Sequence, residues 1–327
     1  MAARAHVRQL IEMVRGEPPV PAAIVYPCDR ISLQLALSGA FAGFLAPLLV
    51  GPEKRIRSAA AAAGLDISRL RIHNTADYPQ AACFAAVILA RDGKVAALVK
   101  GSLNDGELLA PIAASDSGLR TDRRLSHAHF VDLPGRPRGL LLADAHLNVA
   151  PNLAAKRDIV VNTIDLATAL HIVAPKVALL AAVDGINQAF PSTLDAAAIR
   201  AMASDDAFRD AVVAGPLTAD SALSDAAARA NGVASEIAGE ADVLVAPNME
   251  AALLVLRTLT GLVGGLAAGI VLGAKIPIIA PSRTDSMEVR MASCVLASLL
   301  VAAKGKVAYR DTERAAPERF VEVTAPA

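Results

Sequence analysis

The chain has no tryptophan, three tyrosines and seven phenylalanines in 327 residues. With so few rings, Ala, Val, Ile and Leu must fill the interior, which suits helices laid closely on a sheet. An excess of charge of either sign is also missing, since 32 Lys plus Arg balance 32 Asp plus Glu. That excludes a dominant nucleic-acid surface, which needs a basic excess. It equally gives no basis for binding an anionic membrane. Cysteine is scarce: Cys28, Cys83 and Cys294 make neither a disulfide framework nor a CxxC pair. Unbroken apolar runs are scarce as well. Residues 31–52 are interrupted by Pro47 and residues 258–274 carry five glycines, where a spanning helix needs about 20 apolar residues. The opening MAARAHVRQLIEMVRGEPP has no apolar core of a secretory signal, so a cytoplasmic protein is expected.

What is present is an alternation. AAIVYP, APLLVG, RLRIHN and VAALVKG read as short strands, separated by helical patterns such as CDRISLQLALSGAFAGF, PEKRIRSAAAAAGL and DYPQAACFAAVILARDG. Short continuous apolar runs between helices predict an α/β fold with a parallel-rich sheet covered on both faces. In the middle, LSHAHFVDLP and GLLLADAHLNV flank the turn PGRPRG and predict an antiparallel hairpin. The alternation then resumes through KVALLAAV, DAVVAGPL and ADVLVAPN and their helices. The run GLVGGLAAG is expected to be close backbone packing; it has neither the dinucleotide fingerprint nor the P-loop pattern. The charged, Pro-containing tail 310–327 is expected to be a loosely packed terminus.

The stretch IPIIAPSRTDSMEVR (residues 276–290) carries the most chemistry. An apolar strand is followed at its C-terminal end by Ser282, Arg283, Thr284 and Asp285, and then by a helix from Met287. Ser282 with Asp285, or Asp285 with Glu288, fits a capping pattern. A helix N-terminus offers backbone N–H groups and the positive end of the dipole to an anion. Arg283 adds a planar fork suited to phosphate or carboxylate.

Several segments around this stretch resemble the phosphate acetyltransferase and phosphate butyryltransferase family. They are GPLTADSALSDAAARANGV, EIAGEADVLVAPNMEA and GIVLGAKIPIIAPSRTDSMEVR, preceded in the same order by ALVKGSLNDGELL, GLRTDRRLSH, LADAHLNVAPNLAAKRDIVVN and PKVALLAAVDGIN. The wording GAKIPIIAPSRTDS is nearer the butyryl-type subgroup. The resemblance implies an acyltransferase that moves a short acyl group between coenzyme A, a substrate rather than a cofactor, and inorganic phosphate by direct displacement. It implies a two-domain α/β fold like that of isocitrate and isopropylmalate dehydrogenases, with an interdomain cleft and a homodimeric state. The domains would be 1–128 with 270–327, and 129–269. The family's Ser-Arg pair falls on Ser282 and Arg283, as the hydrogen-bond donor and the cation that meet negative charge at the reacting carbonyl or phosphate. Lys100, Arg120, Arg257 and Thr284 are the expected phosphate and coenzyme A ligands.

Two positions depart from the acetyl-type pattern. The acid expected seven residues after the Ser is Val289, which leaves Asp285 and Glu288 as candidate bases for the coenzyme A thiol. An Arg expected before the glycine-rich run is Thr260, with Arg257 nearest to it. These departures keep open a coenzyme A-binding relative with altered or lost catalysis. A hydroxyacid dehydrogenase with NAD and a divalent metal, on the same fold, would need a cluster of acidic metal ligands, and the sequence offers none. His127, His129 and His146 have H-x-H and D-A-H spacing but no further ligand cluster, so no metal is expected. Cys28 has no base in the sequence to activate it as a nucleophile.

Overall fold

The computed structural model describes residues 4–203, 208 and 211–308, so the tail 310–327 lies outside the described residues. The chain begins with α1 (Ala5–Val14), β1 (Val20–Val25), α2 (Arg30–Phe41), β2 (Leu45–Gly51), α3 (Glu53–Ala63) and β3 (Arg71–Asn74). It continues through α4 (Pro79–Arg91), β4 (Ala97–Lys100) and α5 (Asp105–Ala113). The middle holds β5 (Ser126–Asp132), β6 (Leu140–Ala143), α6 (Leu153–Ala169), β7 (Lys176–Leu180), α7 (Pro191–Ala203) and β8 (Val212–Leu217). Two short helices, α8 (Ala219–Leu223) and α9 (Asp225–Ala230), precede β9 (Val243–Val245) and α10 (Met249–Gly261). The last elements are β10 (Leu266–Leu272), β11 (Ile278–Ile279) and α11 (Met287–Ala308). Among the described residues no helix is long and apolar enough to cross a membrane.

Among the described residues all eleven strands join one sheet in the order β3-β2-β1-β4-β11-β10-β5-β6-β9-β7-β8. The flanks are parallel, as the continuous apolar runs predict, because helices cover both faces there. The hairpin of β5 and β6 is antiparallel, also as the sequence predicts. The glycine-rich run departs from expectation: LAAGIVL is a full strand, β10, antiparallel to both β11 and β5. Its glycines hid it, since Gly weakens a strand unless something needs the space above it. The expected domain boundaries at 128/129 and 269/270 fall inside β5 and β10, which pair continuously from Leu266↔Asp132 to Leu272↔Ser126.

The two faces of the sheet differ. Along one face a single apolar cluster runs from Ile24 and Leu49 through Phe130 and Leu141 to Val177 and Val243, under α1, α2, α6 and α11. Strand alternation puts Ala23, Val25 and Leu98 on the other face, and there the core is split in two. One part lies under α4 and α5 with Leu98, Val271 and Ile278; the other lies under α8 to α10 with Val131, Leu142 and Leu244. Burying Leu98 and Val99 of β4 contributes about 1.5–3 kcal/mol each relative to leaving them exposed. The interruption between the two halves is where the polar side chains gather.

Candidate active site

Three adjacent strand ends build the floor. β1, β4 and β11 run parallel, with Ile24↔Val99 and Ile279↔Val99 in register. Their C-terminal ends therefore deliver Cys28–Asp29, Lys100–Ser102 and Ser282–Arg283 to the same edge. The β1 and β4 ends are laced together. Asp29 caps α2 through Ser32 N (2.7 Å) and accepts from Ser102 Oγ (2.6 Å), and Ser102 Oγ accepts from Cys28 N (3.0 Å). Gly101 is required by this lacing: a Cβ there would lie 2.7 Å from Tyr26 O, while Gly101 N donates to Val25 O at 2.9 Å. Burial pushes the Cys28 thiol up to about 11, against the nearby Arg55 charge, so it is no ready thiolate.

Lys100 is only 9% exposed, and its Nζ donates to Asp105 Oδ1 at 2.5 Å. Asp105 opens α5, which Asn104 caps through a reciprocal box with Glu107. The other oxygen of Asp105, Oδ2, lies 3.0 Å from His146 Nε2. His146 sits on a turn after β6 that is held by the buried Asp144 carboxylate. Asp144 accepts from the backbone N–H of His127 (3.1 Å), His146 (2.8 Å) and Leu147 (2.9 Å), and from Asn148 Nδ2 (2.6 Å). Burial alone would raise the Asp105 carboxyl, but hydrogen bonds from His146 and Lys100, with the Lys100 charge, hold it down at about 2.

His127 and His129 stand on the same face of β5, their ring centroids 4.3 Å apart, and the His127 ring is 5.0 Å from that of His146. The residue opposite His129 on β10 is Gly269. A Cβ at Gly269 would come within 2.5 Å of His127 Cε1 and 3.1 Å of His129 Nε2, so the glycine makes room for the rings. Burial lowers both histidines, His127 to about 3, and their Nδ1 atoms have no hydrogen-bond partner. They are neutral at physiological pH. Among the described residues no group of three or more His, Cys, Asp or Glu is placed to hold a metal ion.

The Ser-Arg segment forms a tight turn rather than the expected cap. Asp285 reaches back to Ser282 N (2.8 Å), and Asp285 N donates to Ser282 O (3.2 Å). The cap of α11 is Ser286, whose Oγ accepts from Val289 N (3.3 Å), which corrects both capping patterns read from the sequence. The turn is braced from below by Arg290, 6% exposed, which donates to Ser282 O (2.6 Å) and Asp285 O (3.1 Å). Ser282 Oγ and Thr284 Oγ1 are 3.1 Å apart. Arg283 is exposed and, among the described residues, has no ion-pair partner.

The remaining sequence candidates scatter. Glu288 is paired with Arg4 (2.5 Å) beside α1, on the sheet face opposite the histidines. Arg257 is exposed on α10, close enough for its charge to act on His129. Thr260 turns its hydroxyl back to Leu256 O. Arg120 bridges to Ala274 beyond the C-terminal end of β10, the opposite end of the central strands from Ser282. The sequence reading missed Arg290 and the pairing of Asp105 with His146. Nothing in local spacing relates residues 41 apart, and Arg290 has the look of an ordinary helix residue.

A mixed α/β fold with a cation and a hydroxyl at the C-terminal end of a central strand defines a class of anion-handling enzymes. Comparison with known proteins narrows the class. Residues 80–298 match the family described as "Phosphate acetyl/butaryl transferase". The chain is 43% identical over 90% of its length to a phosphate acetyltransferase of Rhizobium meliloti, covering 93% of that protein. It is 35% identical over 90% of its length to a phosphate butyryltransferase of Clostridium acetobutylicum, covering 98% of that protein. In structure it is similar to a branched-chain phosphotransacylase from Enterococcus faecalis V583, with a TM-score of 0.75 and 29% identity over 86% of this chain and 99% of that one. The chain belongs to the phosphate acetyl/butyryltransferase family and is an acyltransferase. The butyryl-type wording around Ser282 is local, since identity over the whole chain is higher to the acetyltransferase.

Proposed function

We propose that the chain transfers a short acyl group, acetyl to butyryl, between coenzyme A and inorganic phosphate by direct displacement in the cytoplasm, as a homodimer. The observation that carries this reading is the Ser282–Asp285 turn. A buried Arg290 and the Asp285 carboxylate fix its backbone, so the turn presents Ser282 Oγ, with Thr284 Oγ1 beside it, and an exposed Arg283 that has no ion-pair partner among the described residues. Attack of a thiolate on an acyl phosphate builds negative charge on the carbonyl oxygen, and a preset cation and hydroxyl stabilise that charge without reorganising. Lys100, next to this turn through the β4–β11 pairing, directs its charge to Asp105 rather than to the phosphate. Thr284 supports the Ser282 hydroxyl, and Arg257 approaches from the α10 side. Arg120, at the far end of the central strands, suits the distant phosphates of an extended coenzyme A rather than the reacting one.

The division of the core on one face supports the dehydrogenase-like arrangement of two domains about a cleft, with the cleft over Gly269. No covalent enzyme intermediate is needed, because holding two anionic partners in line lowers the barrier by itself. The test is thiol release from acetyl-, propionyl- and butyryl-CoA, each with and without phosphate. Phosphate-dependent release is expected, and the fastest substrate sets the acyl range. Release that ignores phosphate, or none from any of the three, would sink the proposal.

A further inference from the structure

The thiol base is the part of the reaction that the Ser282 segment does not supply. Val289 is apolar and packs partly buried against the core. Asp285 is committed to Ser282 N and Glu288 to Arg4 on the opposite face. Burial lowers both His127 and His129, and among the described residues no acid is hydrogen-bonded to either ring.

His146 is different. Its side chain is 32% exposed and that of Asp105 is 34% exposed, so both are within reach of a substrate from solvent. Asp105 accepts Lys100 on one oxygen and His146 Nε2 on the other. A carboxylate held ionised is an acceptor only, so Nε2 carries the ring proton and Nδ1 keeps its lone pair. A backbone pinned by Asp144 fixes where the ring stands. The groups facing His146 are Lys100 from β4, Asp105 from α5, His127 and His129 from β5, and Asp144 within its own turn.

We propose that His146, oriented by Asp105, is the catalytic acid–base group for the coenzyme A thiol, a role that Val289 cannot fill; this rests on the acyl-transfer reading above. Toward acyl-CoA, Nδ1 takes the proton as the S–H bond breaks. The thiolate pair forms the S–C bond to the acyl carbon, and the C–O bond to phosphate breaks, releasing inorganic phosphate. In the other direction the imidazolium returns its proton to the departing thiolate. Asp105 is a positioning residue that stabilises the imidazolium, and Lys100 holds Asp105.

The test is steady-state kinetics with coenzyme A and acyl phosphate over about pH 6 to 9 for the wild type, His146→Ala, His146→Gln, Asp105→Asn and Glu288→Gln. In both His146 variants kcat is expected to fall about 100-fold or more, with the KM for coenzyme A within about threefold. The acid limb of the wild-type kcat/KM profile should vanish in them, and free imidazole should raise the rate of His146→Ala. Asp105→Asn should lose about tenfold, because the ring remains but its tautomer is no longer set. Near-wild-type kcat in either folded His146 variant would overturn the assignment. So would residual activity that keeps the wild-type acid limb, or a 100-fold loss confined to Glu288→Gln. Wild-type enzyme without phosphate-dependent transfer would instead remove the acyl-transfer reading itself, and this assignment with it.

Discussion

The turn at Ser282 follows β11, the chain of side chains from Lys100 to His146 starts at the neighbouring end of β4, and the two are built by opposite means. At Ser282 the charged groups that do structural work are buried or turned inward: Arg290 grips two carbonyls and Asp285 one amide, and Arg283 has no ion-pair partner among the described residues. Along Lys100, Asp105 and His146 the functional groups partner one another, ion to ion to ring. An unpaired exposed cation can give its whole field to an incoming anion. A paired carboxylate–histidine set instead fixes a protonation pattern. One arrangement suits charge stabilisation, and the other suits moving a proton.

Substitutions that disturb one arrangement and spare the other sharpen this contrast. The largest effect is expected from Arg283→Ala, which should lower kcat about 10²- to 10³-fold while the coenzyme A KM moves only a few-fold. Equal losses in both would make Arg283 a binding group only. Arg290→Met should cost about 2–4 kcal/mol in urea unfolding, because it leaves Ser282 O and Asp285 O without their buried charged donor. It should also lower kcat, although its side chain is buried away from solvent. Gly269→Ala should cost about 1–3 kcal/mol, since the new methyl meets two buried rings; an unchanged melting temperature would show that the histidines yield easily.

Acid should weaken the histidine and carboxylate side first. Unfolded chains protonate a histidine below its ordinary 6.5, whereas His127 resists to about 3. The unfolded state therefore binds more protons across that window, and stability falls as pH drops. Asp105 adds to the loss from its ordinary 3.8 down toward 2, by the same sign. Urea midpoints between about pH 7 and 4.5 should decline in the wild type and decline less in His127→Asn. The smallest effect is expected from Arg4→Ala. Its ion pair with Glu288 is half exposed, so a thermal melt should change by less than about 1 kcal/mol equivalent.

Much of the fold was legible. Apolar runs such as VAALVKG and AAIVYP became buried parallel strands, and the LSHAHFVDLP hairpin formed as its turn implied. β10 escaped notice because Gly269 looks like a defect in sequence; only the rings of His127 and His129 overhead explain it. The motif at 282–285 was readable as an anion site. Its cap was misplaced, because Ser282, Asp285 and Ser286 are all chemically able to cap, and chain geometry chose Ser286. His127, His129 and His146 were visible as a cluster, but without a way to tell metal ligands from ring contacts or from an acid–base pair.

By itself the sequence determined what depends on neighbours along the chain: strand and helix periods, the Ser-Arg segment at a strand end, and the resemblance those segments carry. Those signals are local, because backbone hydrogen bonding and side-chain alternation repeat within a few residues. Only the tertiary structure decided which polar groups meet. Asp105 and His146 are joined by the order of β4, β11, β10, β5 and β6 in the sheet, Arg290 by its burial under a turn eight residues earlier, and Glu288 by its pairing with Arg4 on the far face. Proton transfer and charge stabilisation depend on distances of about 3 Å, and such distances across a sheet are set by packing rather than by spacing in the chain.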